Sequence, residues 1–413
     1  MIELNEHELI YDWNLQGRVT QYPKGVELND ETLRDGLQSP SVTQPRLEEK
    51  IQLLHLMSDL GIHSADIGYP GASAKALNDV VALAKEIVEH KLKIVPNCAG
   101  RTVKVDIDPI VEASERAGIA IEAATFLGSS PIRQYAEGWD LDRLLKLTAD
   151  AVSYVVSRGL PSMFVTEDTT RADPETLRKL YTCAIEHGAR RICLADTVGH
   201  ATPDGVYNLI TFIKEVVKAT GEDVKIDWHG HRDRGLAVPN TLAAIAAGAH
   251  RVHGTALGIG ERAGNTPMDI LVVNLKLLGV IDNDLSRLPE YCRLVSVACG
   301  VPIPFNYPVV GADAFRTGTG VHAAAVIKAQ RKGHDWLADL VYSGVPAGMF
   351  GFKQGIEVGP MSGEANVIYW LSSRGIEPSR ELVTKVFDAA KRSNRLLTDA
   401  EIEAIVAAEH VVA

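Results

Sequence analysis

"SMFVTEDTTRADPETLRKLYTCAIEHGARRICLADT", Ser162–Thr197, is the stretch that decides the fold. A short apolar run, "SMFVTED", ends in charge. The helical pattern "PETLRKLYTCAIEHG" follows, and a second apolar run, "RICLADT", again ends in an aspartate. Strand, helix and strand in that order imply parallel strands joined by a helical crossover.

Working outward, the same unit recurs on both sides. "GVELND", "SADIGYP", "KIVPNC" and "IAIEAATF" precede it, and "VKIDWHGH" and "RVHGTALGIG" follow, so eight strands alternate with helical patterns such as "PRLEEKIQLLHLMSDLG". Eight units in about 255 residues fit an α/β fold of the (β/α)8 barrel type better than an open doubly wound sheet. Asp35, Asp66, Asn97, Thr125, Glu167, Asp196, His229, His231 and Asn265 are all expected at or just past strand ends. In a closed barrel those ends meet at one mouth, where active sites are built. Past residue 280 the pattern turns to helices broken by Gly/Pro-rich stretches, and "EPSRELVTKVFDAAKRSNRLLTDAEIEAIVAAEH" reads as a packed surface helix pair. The expected organisation is an N-terminal extension (1–25), a catalytic barrel (26–280) and a helical C-terminal subdomain (281–413), with no separate regulatory domain.

Composition narrows the function. Apolar residues at 46% and charged residues at 23% describe a globular chain, and the formal net charge of −11 argues against nucleic acid or an anionic membrane as partner. The acidic start "MIELNEHELIYDWN" has no secretory signature, which gives a cytoplasmic expectation. Cys98, Cys183, Cys193, Cys292 and Cys299 form no C-x-x-C pair and read as reduced thiols.

"DWHGHRDRG" sets His229 and His231 two residues apart, on one face of the seventh strand. Closure brings Asp35 of "NDETLRDGLQSP" beside them, and Asn265 of "GIGERAGN" is placed to add an amide oxygen. Nitrogen and oxygen donors with open positions suit Mg2+, Mn2+ or Zn2+ acting as a Lewis acid. "GIGERAG" has the wrong spacing and place for a dinucleotide fingerprint.

"DETLRDG", "HGH", "GIGERAGN" and "LADTVG", in this order, resemble the metal-dependent acyltransferases and lyases that include 2-isopropylmalate synthase, homocitrate synthase and 3-hydroxy-3-methylglutaryl-CoA lyase. The resemblance runs from residue 26 to about 370. It implies a TIM barrel, a divalent metal on Asp35, His229, His231 and Asn265, and Arg34 as a cationic clamp on an oxyanion. It further implies Glu167, His322 and Tyr342 as catalytic residues, Gln38, Arg133 and Thr197 at the substrates, acetyl-CoA as co-substrate, and a homodimer. Bland alternatives stand beside these roles: an ion pair of Glu167 with Arg171, a capping or core role for His322, a turn cap at Thr197 and packing at Tyr342.

The expected reaction joins acetyl-CoA to a 2-oxo acid, followed by thioester hydrolysis. "DIGYPGAS" and "GERAGNTP" lean towards 2-isopropylmalate synthase and leucine biosynthesis. "LADTVGHATP" and Arg133 lean towards homocitrate synthase, and an oxo acid with another anionic tail, such as oxaloacetate or phosphonopyruvate, also fits. A buried Arg133 would be costly beside an apolar substrate. Leu37 in "RDGLQ" resembles the lyases, so cleavage is a minor alternative, as is a non-catalytic paralogue.

Overall fold

In the computed structural model, which describes residues 9–17 and 19–412, eight parallel strands close into a barrel in sequence order. They are β1 (Glu27–Asp30), β2 (Ser64–Asp66), β3 (Val95–Arg101), β4 (Glu122–Gly128), β5 (Ser162–Glu167), β6 (Arg191–Asp196), β7 (Lys225–Gly230) and β8 (Arg251–Gly254). The eight expected runs are all present. Closure is made by β1 against β8, with Asn29 opposite His253, and β7 pairs with the other edge of β8. Residues about 200 positions apart in the chain are thereby set side by side at the mouth.

Helices cover the ring in strict alternation: α1 (Leu47–Asp59), α2 (Ala74–Glu89), α3 (Lys104–Ala117), the short α4 (Pro131–Glu137) with α5 (Leu141–Ser157), α6 (Pro174–Glu186), α7 (Pro203–Thr220) and α8 (Ala237–Ala247). Their starts are written into the sequence. Ser73, Ser130, Asp140, Asp173 and Thr202 each accept a backbone N–H of the first turn with the side chain. Apolar residues on one face of each helix, such as Leu177, Leu180 and Ile185 of α6, pack onto the strands.

The barrel floor is polar. Ser64, Glu122, Arg191 and Arg251 are the first residues of β2, β4, β6 and β8, the alternation that builds one interior layer. Arg251 reaches Glu122 at 2.6 Å, Asp227 at 2.6 Å and the Ser64 hydroxyl at 3.2 Å. Arg191 meets Asp227 at 2.7 Å and Glu122 at 3.3 Å. Asn97 and Thr125, expected at strand ends, lie instead inside β3 and β4. Asn97 donates its amide to Asn29 at 2.7 Å in the same interior, and Thr125 is fully buried.

By its contacts the described chain forms two compact units, one of residues 20–302 and one of residues from 303 onwards with those up to 19. Residues 281–302, grouped with the appendage on sequence pattern, therefore sit with the barrel. After α9 (Met268–Leu277), α10 (Leu288–Cys299) buries Leu288, Cys292 and Val295, and its Tyr291 hydroxyl donates to Asp30 at the end of β1. In the other unit two-residue strands β9 (Arg316–Thr317) and β10 (Gly355–Ile356) pair in parallel, a feature with no signal in the apolar pattern. That unit also holds α11 (Gly320–Arg331), α12 (Asp335–Leu340) and α13 (Glu364–Ser373). The expected C-terminal helix pair is α14 (Arg380–Arg392) and α15 (Asp399–Val412), packed through Trp370, Leu371, Val386 and Ile402. All five cysteines are free thiols, and no described helix is long and apolar enough to cross a membrane.

Removing the Arg251 guanidinium takes the 2.6 Å partner from buried Glu122 and Asp227 and leaves them Arg191, with His253 on Asp227. Arg251→Met is expected to lower unfolding free energy by about 3–5 kcal/mol, read as a drop in the urea midpoint.

Candidate active site

The sequence after β1 turns sharply through Glu31–Asp35 into a 3-10 turn, Gly36–Gln38, and throws its charged side chains into the barrel mouth. Arg34 is the hub. Its Nε donates to Asp66 at 2.7 Å, one terminal nitrogen to Asp35 at 2.8 Å and the other to Glu31 at 3.2 Å. Burial alone would favour the neutral guanidine, but these three carboxylates outweigh it and hold Arg34 charged. A guanidinium offers five N–H groups, so donor capacity remains for a substrate oxygen.

Asp35 faces His229 of β7 and His231 just past its end. Its Oδ2 lies 3.8 Å from His229 Nε2 and 4.0 Å from His231 Nε2, and the two rings are 5.0 Å apart. Burial pushes the Asp35 carboxyl up, yet Arg34 and the imidazoles more than compensate and keep it below the ordinary carboxylate range. Burial, assisted by His229, lowers His231 to about 4, so its imidazole is neutral and its lone pair free at neutral pH. Asn265 donates its amide to Asp35 at 2.7 Å and to Ile259 at 3.1 Å, while its buried Oδ1 has no hydrogen-bond partner.

That orphaned oxygen beside an Asp/His/His set is what a divalent cation would satisfy, and the donor types fit one. The "GIGERAGN" loop makes room. Gly260 has φ +152°, and a Cβ there would stand 2.2 Å from the Asn265 amide; at Gly264, φ +100°, it would stand 1.9 Å from the Gly258 carbonyl. The glycines serve close backbone approach beside Asp35 and Asn265.

Glu31 and His253 went unassigned in the sequence and are central in the structure. Glu31 sits 2.6 Å from His229 Nδ1 and 3.0 Å from His253 Nδ1, and His253 Nε2 lies 3.0 Å from Asp227. A carboxylate on Nδ1 fixes the His229 tautomer and aims Nε2 at Asp35. Burial opposes charge on His253, but Glu31 and Asp227 raise it to about 9. A continuous chain of paired charge thus joins mouth to floor. Its only sequence signal was the crowding of charge in "NDETLRDG", because the partners depend on closure.

The pocket above these groups is lined by Gln38 and Tyr69 on one side and Glu167, Thr197 and Glu261 on the other, with Ala99, Ala124, Phe126, Met163, Val165, Cys193 and Ala195 between. Glu167 is raised above its ordinary value by burial, an effect that Arg133 reduces. Arg171 does not pair with it; Arg171 clamps Asp168 through two bonds of 2.8 and 2.7 Å. Thr197 Oγ1 accepts the Asp168 amide at 2.8 Å, tying the β5 and β6 loops together.

Two sequence expectations need adjustment. Leu37 is buried against the outer helices and does not line the pocket, whereas Gln38 does, so the lyase-like residue says nothing about the thioester side. Arg133 is not buried. Its side chain is 47% exposed, 3.3 Å from Glu137 and 4.0 Å from Glu167, so the cost of an unpaired buried cation does not arise. The residues lining this pocket all belong to the barrel unit, and His322 and Tyr342 stand in the other one, their rings stacked 4.1 Å apart.

Fold and site together define a (β/α)8-barrel enzyme whose strand ends carry donors of the kind that could hold a divalent cation. Residues 25–295 match the HMGL-like family model. The chain is 33% identical to a homocitrate synthase of Methanopyrus kandleri, over 94% of this chain and 94% of that protein. It is also 33% identical to a 2-isopropylmalate synthase of Methanocaldococcus jannaschii, over 93% of this chain and 71% of that protein. Its fold is similar to that of hydroxymethylglutaryl-CoA lyase from Pseudomonas aeruginosa, with a TM-score of 0.56, 19% identity and coverage of 67% of this chain and 93% of that one. The HMG-CoA lyase of Bacillus subtilis gives 0.57 and 22%, covering 68% and 96%. The chain belongs to the HMGL-like family.

Two measurements probe the inner shell. Glu31→Gln is expected to weaken divalent-cation binding roughly 10–100-fold by calorimetry, since it loosens His229 without removing a donor. His253, raised from 6.5 to about 9 in the folded protein, contributes stability that is full below about pH 6.5 and lost as pH rises through about 9. The urea midpoint of the metal-free protein should fall across that window, and His253→Gln should flatten the slope.

Proposed function

We propose that this chain is an acyltransferase that condenses acetyl-CoA with a 2-oxo acid and hydrolyses the resulting thioester, with an apolar, branched 2-oxo acid of the 2-isopropylmalate synthase type as preferred substrate. The observation that carries the reading is the composition of the pocket wall. Arg34 and the Asp35/His229/His231 set share a cleft with Gln38, Tyr69, Glu167, Thr197 and Glu261, and the wall between these polar groups is Ala99, Ala124, Phe126, Met163, Val165 and Ala195. Such a wall accepts an alkyl side chain and offers no cation to a distal carboxylate.

A divalent cation on Asp35, His229, His231 and Asn265 would supply Lewis acidity at the carboxylate and ketone oxygens of the oxo acid. The chain's own groups do the rest. Glu167, made more basic by burial, takes a proton from the acetyl methyl group, and the enolate carbon attacks the ketone carbon. The new alkoxide is stabilised by the free N–H groups of Arg34, which three carboxylates hold rigidly in place, so little reorganisation accompanies the charge shift. Proton return to the alkoxide gives the tertiary alcohol, and attack of water on the thioester carbonyl releases CoA as the thiol. His322 and Tyr342, stacked on one another, are the proposed groups for water activation, and Gln38, Thr197 and Arg133 are proposed to contact substrates. A homodimer in the cytoplasm completes the proposal.

Arg133 favours a second reading, homocitrate synthase type, because its half-exposed guanidinium at the rim can meet an anionic tail. A thiol-release assay with acetyl-CoA, divalent metal and a panel of 2-oxo acids separates the two. CoA release with 2-oxoisovalerate and little with 2-oxoglutarate, lost about 10²–10³-fold in Arg34→Lys, is the expected result. Preference for 2-oxoglutarate supports the second reading, and silence across the panel ends both.

A further inference from the structure

On the outer wall of the barrel, α1 and α2 bring a second donor set together. His55, on α1, and His90, just past the end of α2, both direct Nε2 at one oxygen of Glu86, at 2.7 and 3.3 Å. Their rings are 5.3 Å apart, and the three donor atoms lie within 4.8 Å of one another. Glu86 and His90 are four residues apart and share a helical face, with the His90 amide bonded to the Glu86 carbonyl at 3.0 Å. His55 arrives from the neighbouring helix, so two independent segments meet there.

We propose that His55, Glu86 and His90 form a peripheral site for a borderline divalent cation, Zn2+ being the best fit, separate from the cation set at the barrel mouth. Neutral imidazole and carboxylate are its preferred donors, and three protein ligands leave a position for water. With bonds of about 2.0–2.1 Å, tetrahedral ligands stand about 3.3 Å apart. The His90 to Glu86 separation already matches that edge, the His55 to Glu86 separation would lengthen by about 0.6 Å, and the two imidazole donors lie within 4.8 Å of one another. Among the described residues Glu86 is paired with no lysine or arginine, so no fixed cation competes for its carboxylate. The Glu86 side chain is 17% exposed between the more open imidazoles, which lets a hydrated ion enter. Crossover helices run opposite to the strands, so the C-terminal end of α2 lies towards the barrel floor, away from the mouth. A cation there would clip the first two crossovers together without touching the reaction.

Zn2+ titration calorimetry of the full chain, with Asp35→Asn as the control for the mouth, tests this. Wild type is expected to bind two equivalents. His90→Ala and Glu86→Gln should each bind one, with unchanged CoA release in the thiol assay, and Asp35→Asn should keep the peripheral equivalent. One equivalent in wild type, lost in Asp35→Asn and intact in His90→Ala, would overturn the peripheral site and leave the proposed function standing. The opposite loss, in His90→Ala alone, would support the peripheral site and count against the mouth. If both peripheral variants still bind two equivalents, His55, Glu86 and His90 are hydrogen-bonded neighbours and nothing more.

Discussion

Glu31 is the point on which the site turns. A carboxylate this deeply buried costs several kcal/mol unless it is paired, and here it is paired three times, to Arg34, His229 and His253. Those partners come from the β1 turn, from β7 and from β8, so the pairing exists only when the ring is closed. Closure and site formation are therefore one event. Burial that would otherwise neutralise Glu31 is overcome by its three partners, which keep it well below the ordinary carboxylate range.

The rigidity of Arg34 follows from the same arrangement. Its three carboxylate partners approach from different directions, and one of them, Asp66, belongs to the neighbouring strand β2 and is itself raised to about 6, burial outweighing the pull of Arg34. A guanidinium fixed in this way presents its remaining N–H groups along set directions, unlike a lysine on a flexible stem. Electrostatic preorganisation of this kind is what a reaction that creates an alkoxide needs.

The ring of strands and the pairing of His229 with His231 at its mouth were legible in the sequence because both rest on local signals: apolar runs of strand length, and two histidines at strand spacing. Other features depend on distances that no local pattern encodes. Glu31 and His253 carry meaning only through the β1 to β8 register, which sets Asn29 beside His253. Asn97 looked like a strand-end residue because "KIVPNC" ends in polar character, but pairing carries β3 on to Arg101 and leaves the amide in the interior. The choice between Leu37 and Gln38 is made by a single 3-10 turn, which sends the first outward and the second to the pocket. Arg133 lies in the first turn of a short helix that begins at Pro131, and its side chain is left half exposed there. Tertiary contacts, not propensity, assign α10 to the barrel through Tyr291 and Asp30.

The charged floor has a consequence for how the chain finds its structure. Glu122, Arg191, Asp227 and Arg251 come from four different strands, and each is paired across to residues on the others, with Glu27 of β1 also on Arg191. Oily layers of Val and Leu tolerate a strand shifted along its neighbour by two residues, since one greasy side chain replaces another. A slip of that kind here would leave opposite charges out of step in a dry interior, so the bottom of the cylinder works as a key that admits a single alignment of its staves.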